Sequence, residues 1–220
     1  MKKRMTCLSV LLSLALLLTS CDRLAAFVWE EGYDQEEVSV IHGSDSDLAR
    51  TLCQRLEPLF TTSLDPIFFD RFADEKEALC NSLLAGMLAT DFALYTGQTE
   101  LYESAKAMYP ERNLYFLIPR EAFDYALHST FDQVNVRAFD TEYFDYLESV
   151  EAFTADRQPI RSERRYTVYE CTESEHTYRL LLRAYGLSAD GTDSGDYGEK
   201  FEVLFIKTED EPYIKSVWKR

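Results

Sequence analysis

Glycine is scarce in this chain, eight in 220 residues, and none falls in a P-loop, a dinucleotide fingerprint or a G-x-S-x-G elbow. Phosphate cradles and serine-hydrolase turns need the close backbone approach that only glycine allows, so those classes are excluded. Histidine is scarcer still. His42, His128 and His176 fall on three separate stretches, with no H-E-x-x-H among them. His128 has no partner that the sequence names, and an exposed or capping role fits it better than catalysis. The five cysteines include no C-x-x-C pair and no nearby histidine at ligand spacing, so no metal site and no cofactor is expected.

Cations are also in deficit. Lysine and arginine number 23 against 39 acids, a formal net charge of −16. Phosphate backbones need clustered cations, so nucleic acid is not an expected partner, and an anionic bilayer surface should repel the domain. A long apolar run is absent too. From Leu8 to Leu18 only Ser9 and Ser13 interrupt the apolar stretch, which is eleven residues long. A membrane-spanning helix needs about 20.

What is present at that end is specific. Lys2, Lys3 and Arg4 precede the apolar run, which closes on Leu18, Thr19, Ser20 and Cys21. A basic start, a short apolar centre and small residues before a cut mark a secretory signal. The final four residues resemble the lipobox of bacterial lipoproteins, an aliphatic residue and two small ones before a cysteine. That resemblance implies diacylation of the Cys21 thiol, cleavage just before it, and a lipid-anchored protein facing the extracytoplasmic side of the cell membrane. Two acyl chains hold firmly where one holds weakly, because each buried methylene contributes about 0.8 kcal/mol. Losing residues 1–20 removes three cations and no acid, leaving 20 basic and 39 acidic residues and a net charge of −19.

The expected organisation is therefore a signal peptide over 1–20, a lipidated tether over 21–37 and one α+β domain over 38–220. The tether lacks the glycine and serine of a long linker and reaches only about 20–25 Å as coil. In it, Phe27 and Trp29 read equally well as contacts to the bilayer interface or to the domain's own first helix.

Within the domain a strand is expected over 38–41, then a helix capped by Ser44 or Ser46 with Leu48, Leu52 and Leu56 on one face, ended by Pro58. A long helix over 74–95 carries Leu79, Leu83 and Met87 in one row and Cys80, Leu84 and Leu88 in another, which predicts deep burial. Gly97 closes it. A short helix over 100–108 follows, then a strand over 113–118 running into Pro119 as a first helical residue, with Phe123, Leu127 and Phe131 lining one face. Residues 139–153 fit either a helix stripe or irregular strands, and their acidic and aromatic mixture makes them a candidate binding surface.

The last third alternates, with strands over 165–171, 176–185, 201–207 and 213–219 reading as an antiparallel meander. Tyr178, Leu180, Leu182 and Ala184 should face the core, and Arg179 and Arg183 water. Between them Asp190, Asp193, Asp196 and Glu199 lack the spacing of a calcium loop, and Gly191, Gly195 and Gly198 point to a mobile hairpin loop over 188–200. Cys53 and Cys80 read as buried thiols, a Cys53–Cys80 bridge being the alternative.

In element order, helices first and a curled meander last, the chain resembles the nuclear transport factor 2-like, cystatin-like cone. That resemblance implies a sheet wrapped on helices around a space that these bulky side chains should fill. The expectation for function is a monomeric, membrane-anchored binding or interaction domain without catalysis, its ligand a protein or a small molecule. Two alternatives stand beside it, a small enzyme using a cone pocket and a ligand-capture component of a transporter. Fourteen tyrosines favour binding, since each joins a rigid apolar ring to a polar tip.

Overall fold

The computed structural model describes residues 37–60, 65–155 and 164–220. Cys21, Phe27, Trp29 and residues 1–20, expected as a signal peptide, lie outside the described residues.

The first strand, β1 (Val40–His42), precedes α1 (Asp47–Gln54). Of the two candidate caps it is Ser46 that starts α1, its Oγ accepting from the Ala49 N–H at 3.2 Å. Ala49 and Leu52 are buried, as is Leu56 just beyond. The helix does not run to Pro58. It stops at Gln54, and Pro58 falls in a separate 3-10 turn over Glu57–Leu59, where a residue without an N–H is tolerated.

The long helix expected over 74–95 is two helices. α2 (Lys76–Thr90) buries both apolar rows, Leu79 and Leu83 in one and Cys80, Leu84 and Leu88 in the other, with Met87 half-buried at its end. At Asp91 the backbone leaves the helical region, φ −139° and ψ 63°, and its carboxylate accepts from the Leu94 N–H at 3.1 Å to start α3 (Phe92–Thr96). Aspartate is a poor interior residue and a good cap, which is why the break falls there. Gly97 closes α3, donating to the Ala93 carbonyl at 3.0 Å.

After α4 (Thr99–Met108), the strand expected over 113–118 shrinks to β2 (Ile118–Pro119). Leu114, Phe116 and Leu117 are buried without pairing as a strand, so burial and not a ladder explains their apolar character. Pro119 is not the first helical residue. It is extended, ψ 144°, and stands as the cap before α5 (Arg120–Phe131), whose Phe123, Leu127 and Phe131 are buried. Residues 139–153 are largely irregular and then extended: β3 (Asp145–Leu147), a 3-10 turn, and β4 (Ala152–Thr154). These form a small sheet in the order β2-β4-β3, all antiparallel.

The main sheet holds β1, β5 (Arg164–Glu173), β6 (Thr177–Leu187), β7 (Asp193–Ile206) and β8 (Tyr213–Lys219), in that spatial order and antiparallel throughout. The chain is an α+β fold with its meander last. β7 begins at Asp193, so the loop expected over 188–200 is in fact a short turn followed by strand. Ser188 N–H donates to the Thr192 carbonyl at 2.8 Å across Gly191, φ 78°, and Tyr197 pairs with Tyr185. Register shifts on either side of Tyr185 admit Gly195 at φ 77°, so these glycines serve irregular pairing where a loop was expected.

Leu180, Leu182 and Ala184 of β6, Phe201, Val203 and Phe205 of β7 and Val217 of β8 share one buried cluster with Leu79, Leu83 and Leu84 of α2. Phe60 packs between Phe201 and Tyr166, ring centroids 5.7 and 5.4 Å away. Phe69 adds an antiparallel bridge to Val217 and packs on Phe131.

Candidate functional site

Cys53, Cys80 and Cys171 are free thiols, so the Cys53–Cys80 bridge is not formed. Burial pushes the Cys53 and Cys80 thiols up to about 12, and raises Cys171 as well. A thiol held protonated at neutral pH is a poor nucleophile, and these three behave as small apolar groups.

The histidines are less dispersed than the sequence indicates. β1 lies against the end of β5, with His42 opposite Cys171, and His42 Nε2 stands 2.7 Å from Glu173 Oε2. Lys207, just past β7, donates from Nζ to the other Glu173 oxygen at 2.5 Å and to the Ser174 carbonyl at 2.6 Å, with the Tyr178 ring 4.6 Å away. Glu173 is held below the ordinary carboxylate range, first by Lys207 and then by His42. His176 occupies the β5–β6 turn at the same end of the sheet, its carbonyl accepting from Lys207 N–H at 2.8 Å. His128 on α5 is apart from both, but it does have a partner, Asp132 Oδ1 at 3.2 Å from Nδ1.

A carboxylate held charged between an imidazole and an ammonium orients and fastens. It cannot donate a proton at neutral pH, and Lys207 occupies the oxygen that a substrate would otherwise meet. The cluster joins β1 to the meander.

The acids of the turn are likewise engaged. Asp190 accepts from Thr192 N–H and Oγ at 3.0 and 2.7 Å, Asp193 from Gly195 N–H and the Tyr197 hydroxyl at 2.8 and 2.5 Å. These hydrogen bonds hold both carboxyls below the usual range, with the Thr192 and Tyr197 hydroxyls the leading causes. Among the described residues no group of three or more His, Cys, Asp or Glu is arranged to hold a metal ion, and no helix is long and apolar enough to cross a membrane.

A cleft of about 170 Å³ opens elsewhere, where α3 ends and α4 begins. Tyr95, Tyr102 and Tyr115 line it with Thr96, Gln98, Thr99, Phe116 and Leu117. The local folding is legible in hydrogen bonds: the Leu117 N–H donates to the Tyr95 carbonyl at 3.0 Å, tying the segment before β2 to α3, and Tyr102 N–H donates to Gln98 O at 2.9 Å to begin α4. Tyr95 is buried and Tyr115 61% exposed, so the rings run from floor to rim. Burial, with Asp91 nearby, raises the Tyr95 phenol above its ordinary value.

The lining carries hydroxyls, an amide and aromatic faces, and no carboxylate, imidazole or thiol. It can stack and hydrogen-bond a neutral group but cannot shuttle a proton at pH 7. Tyrosine abundance was the only sequence signal for it, and that signal pointed instead to 139–153. There Phe144, Leu147, Ala152 and Phe153 are core, with Phe153 4.8 Å from Phe123, and Tyr143 is exposed. No family model, no curated protein and no solved structure matches this chain.

Proposed function

We propose that this chain is a lipid-anchored, extracytoplasmic binding protein without catalytic activity, and that its ligand group enters the tyrosine cleft. The observation that carries the reading is the lining itself, three tyrosines with threonine and glutamine tips and no titrating acid or base. Such a surface suits a neutral, ring-sized polar group such as a single sugar residue, whose C–H face stacks on the rings and whose hydroxyls meet the amide and hydroxyl tips. The size sets the strength. A ring of about a dozen heavy atoms at about −0.3 kcal/mol per atom binds with Kd of about 1–3 mM, so useful affinity comes from repeated or clustered ligands.

Titration of the chain from residue 21 with glucose and with N-acetylglucosamine, followed by tyrosine ring signals in NMR, tests the cleft. Saturation in the millimolar range is expected for one of them, and Tyr102→Ala with Tyr115→Ala should weaken it about tenfold. Absence of saturation, or saturation indifferent to both substitutions, rejects the cleft as the site. The anchor has its own test: Cys21→Ser should abolish labelling by a fatty-acid analogue and release the protein from the membrane fraction, and a mutant still labelled and sedimenting with membranes rejects it.

The enzyme alternative has one observation in its favour, the His42–Glu173 pair at 2.7 Å. A hydrolytic or isomerase activity lost in the triple change of His42, His128 and His176 to Gln would establish it over the binding reading.

A further inference from the structure

The chain is strongly acidic, yet its cations are not spread evenly. In β6, Leu180, Leu182 and Ala184 point into the core, so Arg179, Leu181, Arg183 and Tyr185 occupy the outer face. Register carries this face across the sheet. Thr167 of β5 lies opposite Arg183, and Arg183 opposite Lys200 of β7; in the next row Arg165 lies opposite Tyr185, and Tyr185 opposite Tyr197. Arg220, whose N–H donates to the Lys200 carbonyl at 2.8 Å, extends the first row past β8.

The outer face therefore gathers Arg165, Arg179, Arg183, Lys200 and Arg220 against Glu170, Glu202 and, at its end, Asp193, whose carboxylate accepts from the Tyr197 hydroxyl at 2.5 Å. Glu202 is already engaged, by Arg179 at 3.2 Å and Arg220 at 2.8 Å. Among the described residues Arg165, Arg183 and Lys200 have no carboxylate at ion-pair distance. Lys200 instead places Nζ 4.2 Å from the centroid of the Tyr169 ring, Tyr185 and Tyr197 pack at 6.3 Å, and the Arg183 Nε is buried without a hydrogen-bond partner. Tyr169 and Tyr197 are about half exposed. Cations next to one another across strands stand about 4.8 Å apart and those two residues along a strand about 7 Å. Three unneutralised cations at that spacing repel one another unless an anion joins them.

We infer that this corner of the sheet, Arg165, Arg183 and Lys200 with Tyr169, Tyr185 and Tyr197, is a docking surface for a phosphodiester-linked chain. Charge complementarity requires a partner with repeated anions. Three features narrow its chemistry. First, β6, which carries Arg183 and Tyr185 at the middle of this corner, is paired on both sides, to β5 and to β7, so the middle of the face offers no main-chain partners to an acidic peptide, whereas a phosphodiester chain brings acceptors only. Second, a broad anionic membrane would also meet the surrounding excess of acids, while a single strand of polymer meets the corner alone. Third, the rings between the cations give carbon-rich linkers an apolar surface to lie on. This surface is separate from the tyrosine cleft and does not depend on it.

The test uses the chain from residue 21 with Cys21→Ser and, as probe, a fluorescent twelve-unit chain of propanediol phosphate, which carries phosphodiesters and no bases. The wild type should bind it with an affinity that falls steeply with salt. Arg183→Ala with Lys200→Ala should weaken binding at least about tenfold and reduce the slope of log K against log salt by about 1.4. Arg165→Ala, at an exposed position, should weaken it about threefold without altering the circular dichroism spectrum, which guards against a double variant that fails to fold. Arg50→Ala, on α1, should change nothing. No binding by the wild type, or binding indifferent to all three cations, overturns the inference. Equal or tighter binding of a poly-glutamate of the same length transfers the surface to an acidic peptide, preference for anionic vesicles transfers it to the membrane, and tenfold preference for single-stranded DNA transfers it to nucleic acid; each of these also overturns it.

Discussion

Glu173 shows how one side chain can fix the position of an edge strand. Its two oxygens are shared between His42 of β1 and Lys207 beyond β7, so three segments distant in sequence meet on one carboxylate. Because Lys207 first and His42 second hold its pKa down in the folded state, the stability it contributes is fully present above its unfolded pKa and is lost as pH falls through the folded one. Glu173→Gln should therefore cost about 1 kcal/mol at pH 7, a partly solvated charged pair contributing no more. The gap between mutant and wild type should close as the carboxyl protonates in acid. Urea unfolding at a series of pH values from 7 into acid checks this, and a gap that does not narrow as pH falls would mean that the side chain acts by packing and not by charge. None of this pairing was legible in the sequence, since 131 residues separate His42 from Glu173 and no local pattern links them.

At the scale of elements, periodic apolar spacing served well where a segment packs by one recurring pattern, and failed where a single polar residue decides. The rows of α2, the stripe of α5 and the alternation of β6 follow from spacing alone, because burial is their cause. The break at Asp91 and the helix stop before Pro58 follow instead from local hydrogen bonding, which outweighs a continuing apolar pattern over a turn or so. The same limit explains 193–200, where glycine and acid were read as loop while the pairing partner was out of view. That extension of β7 has a kinetic consequence. Amides over 196–201 should exchange with solvent at least about a hundredfold more slowly than those over 189–192, because opening the former requires breaking the ladder to β6. Hydrogen exchange followed by mass spectrometry reads both peptides, and equal rates would return the segment to the loop.

For the whole molecule the governing quantity is charge. From Cys21 onward the chain has 39 acids and 20 cations, so at least 19 of its carboxylates have no cation to match them one to one, and they repel one another across the surface. Several cations are also withheld from neutralising them. Arg165, Arg183 and Lys200 stand together on the sheet's outer face, with no carboxylate at ion-pair distance among the described residues. Composition alone gave the excess but not this separation, because which cations share a face depends on the register of three strands. Exposed ion pairs such as Arg71–Asp74 and Lys219–Glu199 each contribute about 0–1 kcal/mol and weaken in salt. The repulsion among unpaired acids is spread over many more groups and is relieved by salt, so the two effects oppose and the larger number should win. Raising sodium chloride from about 0.02 M to about 0.3 M shortens the screening length from about 20 Å to about 6 Å. The midpoint of thermal unfolding should then rise by about 2–4 °C, equivalent to about 1 kcal/mol for a chain of this size. A midpoint that falls over that range would show the ion pairs, and not the surplus of carboxylates, to dominate the electrostatics of the fold.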